Sequence, residues 1–108
     1  MRRQKQRIVD LLEPVYILAL DDLYEWALKK PMTDGLADAV QEALVLKTGD
    51  KTLIDYYYNL QEMSHYHEVS VKEMIGSLDP ESASYLYEFC TKWGATELAR
   101  RVQKAFRF

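Results

Sequence analysis

Residues 69–93 read VSVKEMIGSLDPESASYLYEFCTKW, and this stretch decides the fold class. Ser70, Val71, Lys72 and Glu73 form a capping box, with Val69 and Met74 placed as its hydrophobic staple. A short helix therefore begins at Ser70 and ends near Gly76. Asp79, Pro80 and Glu81 then supply an N-cap, a proline at the first helical position and an acid in the first turn. The helix they open runs to Gly94. On its wheel Ala83, Tyr85, Leu86, Tyr87, Phe89, Cys90 and Trp93 cover about 200°, well beyond the ~100° stripe that faces a core. Such a helix is either central or partly an interface.

Outward from this stretch the pattern stays helical. Residues 96–106 place Leu98, Val102, Ala105 and Phe106 inward. Towards the N-terminus, Leu53, Tyr56, Tyr57, Leu60 and Met63 form a helical stripe opened by an Asp50 cap. A strand competes there, because Ile54, Tyr56, Tyr58 and Leu60 alternate, but no other segment offers it a pairing partner. Before it, Thr33 or Asp34 caps a helix that buries Leu36, Val40, Ala43 and Leu44 and stops at Gly49. Residues 4–30 set Ile8, Leu11, Leu12, Val15, Leu18, Ala19, Leu23 and Trp26 on one face. Pro14 must kink that helix or begin a second one, since it lacks an N–H and crowds the carbonyl of Asp10. The turn from Val15 to Leu20 is apolar on every side, which implies enclosure. The expectation is an all-α, compact bundle of about five or six helices. It forms a single domain over residues 1–108, with the basic segment 1–7 free to fray.

Composition agrees with a folded core: 48% of residues are apolar, 12% are aromatic, and Gly and Pro number only four and three. The lone Cys90 cannot form an internal disulfide, so a reducing, cytoplasmic setting is expected. Asp10, Glu13 and Pro14 spoil any leader-like apolar segment after the basic start, and no run is long enough to span a membrane. The net charge of −3 is unevenly spread. Arg2, Arg3, Lys5 and Arg7 make the start basic; Arg100, Arg101, Lys104 and Arg107 outweigh Glu97 at the end. The body between them is strongly acidic.

Candidate chemistry is sparse. Glu62 and His65 match the Glu-x-x-His spacing of di-metal carboxylate bundles, which need a second copy and two further Glu on facing helices. His65 and His67 diverge on a helix, and Cys90 reads as a small core residue. Asp21, Asp22 and Glu25 share one turn without a phosphate-binding loop nearby, so they read as a solvated acidic face. No catalytic residue, metal ligand or cofactor is assigned, and the chain is not read as an enzyme. What remains is surface. Tyr85, Phe89 and Trp93 offer an aromatic face of the kind enriched where interfaces carry their energy. Arg100, Arg101, Lys104 and Arg107 fall within about 120° of the last helix, where they also complement the macrodipole.

The leading expectation is a small interaction or regulatory module of inhibitor, immunity or adaptor type. Its partner is another protein, or a second copy in a homodimer, and it binds through those seven residues. A nucleic-acid-binding protein using the two basic ends is the first alternative, opposed by the pI near 5.4. A di-metal helical-bundle enzyme is the second. No membrane partner is expected.

Overall fold

The computed structural model describes residues 7–30, 33, 35–63 and 69–108. Among these there are seven helices and no strand: α1 (Ile8–Leu11), α2 (Ile17–Lys29), α3 (Leu36–Thr48), α4 (Lys51–Glu62), α5 (Val71–Gly76), α6 (Pro80–Trp93) and α7 (Thr96–Phe106). They close around one core whose fully buried members include Leu12, Leu20, Leu23, Leu36, Met74, Leu86 and Leu98.

The local signals act where expected. The Asp50 carboxylate accepts from the Thr52 and Leu53 amides, Ser70 Oγ from the Glu73 amide at 3.1 Å, and Asp79 from the Ser82 amide at 2.9 Å. Each bond satisfies an orphan donor of a first turn. Gly49 and Gly94 end α3 and α6 in the left-handed conformation, at φ 74° and 86°.

Pro14 divides the first long pattern rather than kinking it. The chain turns through residues 12–16, where the Val15 amide reaches the Leu12 carbonyl at 3.0 Å, and a new helix starts at Ile17. The break resets the helical phase. Ala19, Leu20, Leu23 and Ala27 face the core, whereas Leu18 is 61% exposed and Tyr16 is exposed as well. The stretch from Val15 to Leu20 is therefore not enclosed on all sides. Thr33 also differs from expectation. It is buried and caps backwards, its hydroxyl donating to the Ala27 and Lys30 carbonyls at the end of α2, while Gly35 is the N-cap of α3. Asp34, the other candidate cap, lies outside the described residues.

The tyrosine stretch is helical, yet among its described side chains none is buried. Ile54, Tyr57 and Leu60 are half-buried; Leu53 and Tyr56 are exposed. Tyr57 faces α3, where burial, then the charges of Asp38 and Glu42, raise its phenol pKa. In α7 the buried residues are Leu98, Ala99 and Val102; Phe106 is half-buried and Ala105 exposed.

Helix α3 is the hub onto which α1, α2 and α4 pack. Its Glu42, with a side chain only 7% exposed, takes both oxygens to Arg7 Nη2, at 2.8 and 2.9 Å. Lys47 donates to the Glu13 carbonyl at 2.6 Å, so α3 grips α1 at both ends. At the start of α3, Gly35 has φ 75°, and a Cβ there would stand 2.5 Å from Val69 Cβ.

That contact yields a ranking. Gly35→Ala combines left-handed strain with a collision and should cost about 3 kcal/mol in urea unfolding. Gly49→Ala and Gly94→Ala meet open space and should cost only about 1 kcal/mol each.

Candidate functional site

Helix α6 turns Ser82, Ala83, Leu86, Phe89 and Cys90 inward. Its broad apolar arc is thus split between core and surface. Phe89, expected as a partner anchor, is only 8% exposed and belongs mainly to the core. Tyr85 is 37% exposed, but one face of its ring stacks on Trp26 of α2, with centroids 4.3 Å apart and planes 18° from parallel. Burial, then the nearby Asp22 charge, raises the Tyr85 phenol pKa. Trp93 is half-buried beneath Lys92, whose Nζ lies 5.3 Å from its ring centroid. These side chains, with Asp22 and Glu88, line a shallow depression of about 280 Å³. Much of the aromatic surface read from the sequence is therefore spent within the fold.

The basic face of α7 is present and partly tied down. Glu97 receives Arg100 through Nε at 3.1 Å and Nη2 at 2.6 Å, and Arg101 through Nε at 3.2 Å. Those hydrogen bonds hold the Glu97 carboxyl at about 2, well below its usual 4.5. Lys104 and Arg107 are exposed. Arg107 closes the helix in the left-handed conformation at φ 57°, and beyond it Phe108 stacks on Phe106.

A feature that sequence reasoning missed lies between α5 and α7. An open groove of about 840 Å³ has an apolar floor built from Val71 and Ile75 on one side and Ala105 and Phe106 on the other. Lys72, Arg101 and Lys104 line it as well, and Gly76 leaves its α5 end without a side chain. Two of the four expected cations thus belong to this groove. The capping box places Lys72 and Ile75 on α5, but nothing local shows that they meet α7.

Among the described residues, the helices nearest the two basic ends pack chiefly on different neighbours. α1 packs on α3 and α7 on α6, and Arg7 is engaged by Glu42. Arg2, Arg3 and Lys5 lie outside the described residues, as do His65 and His67. Glu62 is exposed, and so are Asp21, Asp22 and Glu25 along α2. Among the described residues no three His, Cys, Asp or Glu side chains are grouped so as to hold a metal ion. No described helix is long and apolar enough to cross a membrane.

Burial pushes the Cys90 thiol up to about 12. In the native protein it should react with a disulfide reagent more than about 100-fold more slowly than in denaturant, since the thiolate forms only after opening. Glu97 gives a pH signature of the opposite kind. Its pKa is depressed on folding, so its contribution is present above pH 4.5 and lost as pH falls towards 2. The melting-temperature advantage over Glu97→Gln should shrink across that window, followed by circular dichroism.

Comparison with protein-family models, with curated proteins and with solved structures finds no match for the chain.

Proposed function

We propose that the protein is an interaction module that receives an acidic amphipathic helix of a partner protein in the α5–α7 groove. The groove itself carries the reading: an apolar floor bordered by Lys72, Arg101 and Lys104 in a chain whose net charge is −3. Helix-in-groove recognition needs an apolar trough for side chains at i, i+3, i+4 and i+7. With a helix diameter near 10 Å, about two turns fill a volume of this order. The cations then select a helix whose flanks carry carboxylates and steer its approach. A regulatory or adaptor role in the reducing cytoplasm fits such a module, since its single cysteine can form no internal disulfide. Among the described residues, a metal-dependent enzyme and a nucleic-acid binder have no comparable geometric support.

The test is an NMR titration with a synthetic peptide bearing Leu on one helical face and Glu on the other. Shifts should concentrate at Ile75, Ala105 and Phe106. Phe106→Ala, which removes the floor's one aromatic ring, should weaken binding about 10-fold or more, the range of an interface anchor. No perturbation at millimolar peptide would overturn the proposal. A duplex DNA that binds more tightly and perturbs chiefly Arg100 and Arg107 would favour the nucleic-acid alternative.

A further inference from the structure

The acidic helix that suits the groove has a counterpart on this molecule's own surface. Helix α2 gives Ala19, Leu20, Leu23 and Ala27 to the core and leaves Leu18, Asp21, Asp22, Glu25 and Leu28 exposed. At 100° per residue these five fall within an arc of about 120°. Leu18 and Leu28, each 61% exposed, stand about 15 Å apart along the axis with the three carboxylates between them. Lys29 closes the helix beyond Leu28, where a cation offsets the dipole. The two leucines stand at the ends of this acidic face, which is exposed along its length.

We propose that the second copy of this chain is an occupant of the groove: the α2 face of one molecule seats in the α5–α7 groove of another. The inference rests on the groove being a receptor for acidic helices. Three carboxylates face Lys72, Lys104 and Arg101, the last shared with Glu97, while Leu18 and Leu28, nearly three turns apart, flank the floor of Val71, Ile75, Ala105 and Phe106 rather than fill it. The two halves sit on different helices, so the contact is heterologous. It gives a reciprocal pair where the geometry closes and a growing chain where it does not. The charges are exposed and screened over about 10 Å at 0.1 M salt, which makes the association weak and salt-dependent. A single helix face is also below the ~800 Å² per partner of a standard stable interface. Self-association then competes with any outside partner for one groove.

Sedimentation velocity from about 10 μM to 1 mM reads the outcome. At low salt the weight-average mass of the parent should rise with concentration, and about 0.5 M salt should weaken association at least 10-fold. Two charge-reversed proteins separate the halves: Asp21→Lys with Glu25→Lys, and Lys72→Glu with Lys104→Glu. All four positions are exposed, so both variants should melt like the parent; Leu18→Ser with Leu28→Ser replaces the first should it fold poorly. Each variant alone should stay monomeric. An equimolar mixture should associate again, because the intact groove of the first variant meets the intact α2 face of the second and the two reversed surfaces are complementary in turn. A parent that stays monomeric throughout, variants that associate like the parent, or a mixture that stays monomeric would each overturn the inference. If the acidic peptide still binds the groove in those cases, the receptor reading survives; if it does not, both fall.

Discussion

The meeting of Gly35 with Val69 sets the arrangement of the rest. A left-handed residue without a side chain lets the start of α3 press against the residue that leads into α5. The two ends of that contact are far apart in sequence, and each opens its own part of the fold. From Gly35 runs α3, the helix on which α1, α2 and α4 lean. From Val69 runs the capped turn that aims α5 and its Ile75 at α7. Any side chain at position 35 must push these parts apart, and the groove, being a gap between α5 and α7, inherits the displacement. Close-packed interiors pass such strain on rather than absorb it.

What could be read in the sequence follows the range of the forces involved. Asp50, Ser70 and Asp79 as caps, and Gly49 and Gly94 as stops, were legible because a cap satisfies donors within three residues of itself. Leu18 was misplaced because Pro14 resets the helical phase, and a wheel drawn through the break assumes a continuity the chain lacks. The α4 stripe was legible as a helix but not as a peripheral one: periodicity says which residues share a face, not whether another element covers it. Ala105 shows the same limit at the site. It continues the apolar pattern of Leu98 and Val102, yet it lines an open groove, since what stands opposite is set by α5, thirty residues away.

Charge is arranged with similar economy. Glu97 holds two of the four terminal cations in one network and offsets part of the charge of both Arg100 and Arg101. Arg7, which a linear count adds to the basic surface, is drawn to Glu42, so its role is to close α1 onto α3. A net charge of −3 conceals both arrangements. The surface field depends on which ions are paired, and pairing is a property of the fold.

Arg107 has one more implication. Glycine serves at the left-handed ends of α3 and α6, where it enters that conformation without penalty, whereas α7 ends on an arginine at φ 57°. An L-residue with a Cβ gives up about 1 kcal/mol or more to sit there. Glycine at this position would therefore make a sturdier helix end and a weaker field beside Lys104. The C-terminus of α7 is a place where thermal robustness and surface potential pull in opposite directions. A variant chosen for heat tolerance alone would drift towards a less cationic end of α7.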